Sequence, residues 1–166
     1  MLITDILTNK PVLVGLHLVF AILGIDFFLW LAGEVIANPV KRSRMLFVAG
    51  AGLVSFLLSW LVGGYYYVNF YGTLVKPIIK AGSAPWAHAI AMEAKEHIFL
   101  LIIPLAITAA ILAFVKENEF NKNNLRRITM LLVGLIAALG LGIGAMGFII
   151  SAAVISSGAG TSSPIP

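Results

Sequence analysis

The chain has 166 residues, of which 60% are hydrophobic and 11% are charged, and its mean hydropathy is +1.03. Soluble globular chains have about 45–50% apolar and about 25% charged residues, so this composition excludes an ordinary soluble domain and predicts a membrane protein. The net charge of +4 does not indicate nucleic-acid binding, because the basic residues adjoin apolar runs and form no basic face of useful size. Since the chain contains no cysteine, disulfides, iron–sulfur clusters and thiolate chemistry are excluded.

Four apolar segments are long enough to cross a bilayer, which takes about 20 residues in a helix. In chain order they cover residues 12–37, 45–70, 86–115 and 128–155, and the small, polar segment 156–166 is expected to be disordered. The runs are too long for barrel strands and lack their alternation. We therefore predict an all-α fold in which residues 1–166 form a single membrane domain, an up-down bundle of four transmembrane helices.

The basic residues are distributed unevenly between the loops. Seven of the eleven Lys and Arg residues lie in the first and third loops. The positive-inside rule places these two loops in the cytoplasm and both termini outside. The second loop then lies outside, and the aromatic residues around it are expected to form a belt at the outer membrane interface, namely Tyr65, Tyr66, Tyr67, Phe70, Tyr71 and Trp86.

Small residues recur at helical spacing in two of the segments. The second segment has Gly52, Ser55, Ser59 and Gly63, and the fourth has Gly140, Gly144, Gly147 and Ser151. Helices in a bilayer associate through faces of small residues, because these let the backbones approach closely. Both stripes predict tight helix packing rather than a chemical site.

Two histidines are predicted to lie at a similar depth near the outer edge of the membrane. His17 lies early in the first segment, and His97 lies where the uncharged run of the third begins. The two segments enter from the same side, so both imidazoles could ligate one metal centre. Gly24 lies seven residues after His17, on nearly the same helix face, where a flat macrocycle could approach. His88, nine residues before His97, is expected on the opposite, peripheral side. The alternative role for His17 and His97 is hydrogen bonding between helices or a proton site.

Neighbouring polar residues could support such a centre. Glu93 lies four residues before His97 and could orient its imidazole. Lys95, together with two lysines of the second loop, lies where haem propionates would emerge and favour a positive partner. Otherwise Lys95 and Glu96 are expected to face the lipid headgroups.

Two acids in the first segment are candidates for proton coupling. Asp26 lies in mid-segment, where a lone carboxylate is expected to be protonated or paired within the bundle. Glu34 lies near the inner interface and could pair with Lys41 or Arg42. The two acids could form a proton pathway from the cytoplasm, or Asp26 could be neutral and hydrogen-bonded to a serine of the second segment.

The sequences Gly15-Leu16-His17 and Glu96-His97-Ile98, within about residues 12–155, resemble those of small four-helix membrane b-type cytochromes and related bacterial four-helix haem or copper membrane proteins. The resemblance implies haem b held between His17 and His97, in the plasma membrane of a bacterium or archaeon. It departs from the two-haem pattern, because the second and fourth segments contain no histidine. A single haem could exchange electrons between a quinol and an outer acceptor, or serve with partner subunits in a larger respiratory complex.

Three functions therefore stay open at this point. The first is a haem-b electron-transfer protein or respiratory-complex subunit with His17 and His97 as axial ligands. Such a protein could itself be an oxidoreductase or be a subunit of one. The second is a protein that binds or transports copper or another divalent ion through His17, Glu93 and His97. The third is a structural membrane subunit that packs in the lipid bilayer without a cofactor.

Overall fold

The computed structural model describes residues 2–37, 41–122 and 124–159, and every regular element in these ranges is helical. Four helical stretches are long and apolar enough to cross a membrane: Lys10–Ile36, Arg42–Ala81, Ala87–Phe114 and Leu125–Ser157, called here the first to fourth spans. Short helices cover Leu2–Thr8 and Glu117–Lys122. The protein is thus an all-α bundle of four helices, as the hydropathy predicts.

The helix bounds differ from the predicted ones at one end of the bundle. The second span is α-helical over Arg42–Tyr66, π-helical over Tyr67–Val75 and α-helical again over Lys76–Ala81, well beyond the predicted end at residue 70. The third span begins with a π-helix, Ala87–Met92, before the α-helix Glu93–Phe114. The fourth span is α-helical over Leu125–Val154 and continues as a π-helix over Ile155–Ala159. Residues 156–159, predicted to be disordered, belong to this π-helix, while residues 160–166 lie outside the described residues.

The four spans pack around one another, and the second also contacts the fourth through its last helix, Lys76–Ala81. The first and third spans both contact the second and the fourth, so the first and third lie diagonally across the bundle. Phe56 of the second span occupies the centre, 5.6 Å from the ring of Phe28 and 6.5 Å from the ring of Phe99. Small residues permit this packing, because a methyl group on Gly52 would lie 2.9 Å from the Phe28 ring and one on Gly140 would lie 2.8 Å from Ile25. The prediction of close packing holds at both glycines, whereas Gly144 has no neighbour within 4 Å of such a methyl.

Arginine side chains cap the last carbonyls of two helices at one end of the bundle, called here the arginine end. Arg42, at the start of the second span, donates to the carbonyls of Ala113 and Val115 at the end of the third. Arg126, at the start of the fourth span, donates to the carbonyl oxygens of Ile36 and Ala37 at the end of the first. The last carbonyls of a helix lack partners within the helix and carry partial negative charge, so a guanidinium is well suited to cap them. The opposite end, where the first and third spans begin, is called the histidine end.

Candidate functional site

His17 is fixed against the second span by a closed set of hydrogen bonds. Its Nδ1 lies 2.9 Å from the carbonyl oxygen of Ser59 and 3.0 Å from the Ser59 hydroxyl. Because a carbonyl oxygen only accepts, Nδ1 carries the proton and donates, and the Ser59 hydroxyl donates in turn to the His17 carbonyl at 3.0 Å. A methyl group on Gly63 would lie 2.5 Å from Nδ1, so the ring rests directly on the backbone of the second span.

The Gly24 surface, predicted as a place for a flat macrocycle, is covered by an aromatic ring of the protein itself. A methyl group on Gly24 would lie 2.7 Å from the ring of Phe56, which is 1% exposed. Gly24 does share its buried face with His17, as the seven-residue spacing predicts. In this packing, however, the face fits Phe56 and does not fit a haem.

His97 lies on the outside of the bundle. Its ring is exposed, and Nδ1 donates to the carbonyl oxygen of Glu93 on the same helix at 2.7 Å. The group that orients the imidazole is therefore the Glu93 main chain, whereas the side-chain carboxylate was expected to do so. Since the first and third spans lie diagonally and His17 faces the second span, the structure does not bring His17 and His97 together. Their pairing as ligands of one centre stays a prediction.

His88, expected at the periphery, is instead buried. It is 4% exposed, and its Nδ1 is hydrogen-bonded to the Tyr71 hydroxyl at 3.1 Å. Tyr71 is 3% exposed and its ring stacks on Tyr67 at 5.2 Å, so these tyrosines are not simply part of an interfacial belt. The two π-helical stretches, 67–75 and 87–92, carry both partners of this contact. π-Helical turns are rare in proteins and frequently occur at functional sites.

Lys95 and Glu96, expected to face the headgroups, are half-buried. The Lys95 Nζ lies 3.6 Å from the position of a methyl group on Gly147 of the fourth span. Its ammonium interacts electrostatically with both His17 and Glu96. Lys95 therefore points into the bundle between the first and fourth spans, and its contact with haem propionates stays a prediction.

The Glu96 carboxylate has an unusual environment. The Tyr67 side chain lies close to it, while Oε1 is buried and lacks a hydrogen-bond partner within the described part of the chain. A buried acceptor without a donor is costly, so such an atom calls for an explanation. The polar residues gathered here are called the Lys95 cluster: His17, Ser59, Tyr67, Tyr71, His88, Lys95 and Glu96.

A signal for this inward face is present in the sequence. The buried residues Phe99, Ile102, Ala106, Ala109 and Ala113 define one face of the third span. Continued backwards at about 100° per residue, that face includes Lys95 and passes opposite His97. Alanines at helical spacing mark a packing face in a membrane helix, and they would have distinguished the inward lysine from the outward histidine.

The two acids of the first span have separate environments. Glu34 is 4% exposed, forms an ion pair with Arg44 at 3.0 Å and accepts from Trp30 Nε1 at 2.9 Å. Its partner is therefore Arg44, whereas Lys41 or Arg42 was expected. Asp26 is exposed on the outside of the bundle, so the structure does not assemble the two acids into a pathway.

The predicted hydrogen bond from Asp26 to a serine of the second span is wrong. Ser55 donates to the carbonyl oxygen of Ala51 at 2.8 Å, and Ser59 is engaged with His17. Neither serine hydroxyl is available to Asp26.

No group of three or more His, Cys, Asp or Glu side chains within residues 2–37, 41–122 and 124–159 is arranged to hold a metal ion. Comparison of the chain with protein-family models, curated proteins and solved structures finds no match. What is shown is thus a membrane-type four-helix bundle with buried ionisable residues near one end.

Proposed function

We propose that the protein is a quinone- or quinol-binding subunit of a membrane electron-transfer complex, with the headgroup held at the Lys95 cluster. The observation that carries this proposal is the buried Glu96 Oε1, which accepts no hydrogen bond from the described residues. Ionisable residues inside a membrane bundle are expensive and commonly mark a ligand or proton site. A lipid-soluble ligand with a polar headgroup would reach such a site without leaving the bilayer.

The cluster offers complementary groups to both redox forms of the ligand. A quinol presents hydroxyl groups that donate, and Glu96 Oε1 is an acceptor in need of a donor. A quinone presents carbonyl oxygens that accept, and the Lys95 ammonium is a donor directed into the bundle. The stacked rings of Tyr67 and Tyr71 offer an aromatic surface beside these two groups. Glu96 is the group placed to take up a proton when the electron acceptor of the complex oxidises a bound quinol.

Binding of a short-chain quinol analogue and of its oxidised form to the protein in nanodiscs tests this proposal. The analogue should bind saturably, Glu96→Gln should weaken the reduced form by about tenfold more than the oxidised form, and Lys95→Met should do the opposite. Thr108→Ala is the matched control, because this exposed hydroxyl only donates to the Pro104 carbonyl of its own helix at 2.8 Å. Non-saturable uptake that is equal for all four proteins would contradict the proposal.

A separate observation favours a second candidate, haem b or a metal ion ligated by His97. With Nδ1 donating to the Glu93 carbonyl, the neutral imidazole has its lone pair on Nε2, on an exposed face. Metal-ligating histidines commonly donate their other nitrogen to a main-chain carbonyl in this way. The remaining ligand would come from another molecule, because His17 is directed at the second span.

The absorbance spectrum of the purified protein tests this second candidate. A Soret band that shifts on reduction with dithionite, is lost in His97→Ala and persists in His17→Ala would support haem on the outside of the third span. Loss of the band in both folded variants would instead support the pairing predicted from the sequence. A colourless protein that binds copper stoichiometrically through His97 would favour the metal ion, and one that binds neither would remove this candidate.

A further inference from the structure

Asp26 lies at mid-depth on the side of the first span that faces away from the bundle. It is 16 residues from Lys10 and ten from Ile36, which places it about 24 Å and about 15 Å from the two ends of the helix. Its carboxylate is exposed and has no partner within the part of the chain that the structure describes. A carboxyl group in contact with hydrocarbon is strongly disfavoured and is usually found facing protein or water.

The surface around Asp26 is a continuous stripe along the helix. At about 100° per residue its members fall within about 80° of one another and nearly opposite the buried residues Gly24 and Leu31. All of them are exposed, and they are Gly15, Val19, Ile22, Asp26, Trp30 and Gly33. A methyl group on Gly15 or Gly33 would meet nothing within 4 Å, so a neighbouring helix can approach the backbone at both ends of the stripe.

We infer that this stripe, called here the Asp26 stripe, docks a transmembrane helix of another protein that carries a lysine or arginine at the depth of Asp26. Charge complementarity selects this partner, because a cation at this depth removes most of the free-energy cost of placing the carboxylate in the bilayer. A second copy of this chain supplies no such group. Copies share one orientation in the membrane, so a two-fold contact would set Asp26 against Asp26, and no lysine or arginine lies in the middle of any span.

Energy transfer between labelled molecules in lipid vesicles tests this inference. The chain contains no cysteine, so a fluorophore can be placed on Ser83→Cys alone, in an exposed loop position. The probes are three synthetic transmembrane helices of otherwise identical leucine-rich sequence, with lysine, leucine or glutamate at the centre. The lysine helix should bind about tenfold more tightly than the leucine helix, and the glutamate helix should bind no better than the leucine helix.

Substitutions then assign the binding to the stripe. Asp26→Leu should reduce the binding of the lysine helix to that of the leucine helix, and it should leave the helical circular dichroism unchanged because the side chain faces outward. Thr108→Leu, on the exposed side of the third span, should have no effect. Equal binding of the three helices would overturn the inference. It would also be overturned by transfer between two copies of the chain that Asp26→Leu abolishes, which would identify a second copy as the occupant.

Discussion

His17 and Ser59 form two reciprocal hydrogen bonds, each from the side chain of one residue to the main-chain carbonyl of the other. The His17 Nδ1–H donates to the Ser59 carbonyl at 2.9 Å, and the Ser59 hydroxyl donates to the His17 carbonyl at 3.0 Å. The pair joins the first two spans at the histidine end, and the ring of His17 lies against Gly63. Such a contact both satisfies a polar side chain in the membrane and fixes the distance between two helices.

Gly63→Ala should destabilise the protein, because the added methyl group would lie 2.5 Å from the His17 ring. We expect a loss of about 1–3 kcal/mol in the free energy of unfolding, measured by denaturant titration in detergent. Gly64→Ala is the matched control, since a methyl group there meets nothing within 4 Å. In a His17→Ala background the effect of Gly63→Ala should largely disappear, and an unchanged effect would show that the clash involves other atoms.

Phe56→Ala should leave a cavity at the centre of the bundle. The side chain is 1% exposed and contacts Phe28 and Phe99, so its loss should cost about 3–5 kcal/mol in the same unfolding measurement. Phe148→Ala, at a position 76% exposed, should change the stability by less than about 0.5 kcal/mol. Similar losses at the two positions would argue against Phe56 as the centre of the core.

Glu34→Gln and Glu34→Ala should differ in stability. The amide of glutamine can still accept from Trp30 Nε1 while losing the ion pair with Arg44, whereas alanine leaves the indole N–H without its partner. Alanine should therefore be the less stable variant by about 1–3 kcal/mol, and the tryptophan fluorescence should change more in it. Asp5→Asn, at an exposed acid, serves as the control for a general effect of charge.

The orientation in the membrane can be measured with single cysteines in this cysteine-free chain. The positive-inside rule predicts that Ser43, beside the arginines, lies in the cytoplasm, and that Ser83 lies outside. A membrane-impermeant maleimide added to intact cells should label Ser83→Cys at once and Ser43→Cys only after permeabilisation. The opposite pattern would reverse the assignment of the two ends.

The spans themselves could be predicted because hydropathy depends on composition along the chain and not on neighbours in space. The direction of a side chain around its helix depends on which face packs inward. The prediction placed His97 inside and His88 at the periphery, whereas in the structure His97 is exposed and His88 is buried. His97 adjoins the uncharged run, which favoured it as the inward residue, although the alanines at 106, 109 and 113 place the packing face on the other side.

The extent of the π-helical stretches could not be predicted in the same way. A π-helix has hydrogen bonds from residue i to i+5, so a constant rotation of about 100° per residue fails across it. The stretch 67–75 carries Tyr71 into contact with His88, and no spacing rule for an α-helix anticipates that contact. The Lys95 cluster depends on such long-range placement and on the diagonal arrangement of the first and third spans.

The arginine caps have a consequence for the order in which the protein is assembled. Arg126 serves the carbonyl oxygens of Ile36 and Ala37, about ninety residues earlier in the chain. During synthesis these carbonyl oxygens at the end of the first span therefore lack the arginine cap until the fourth span has entered the bilayer beside it. A chain stopped after residue 115 would retain the cap that Arg42 provides to the third span but would lack the cap that Arg126 provides to the first. Insertion of the last helix therefore also completes the hydrogen bonding at the end of the first helix.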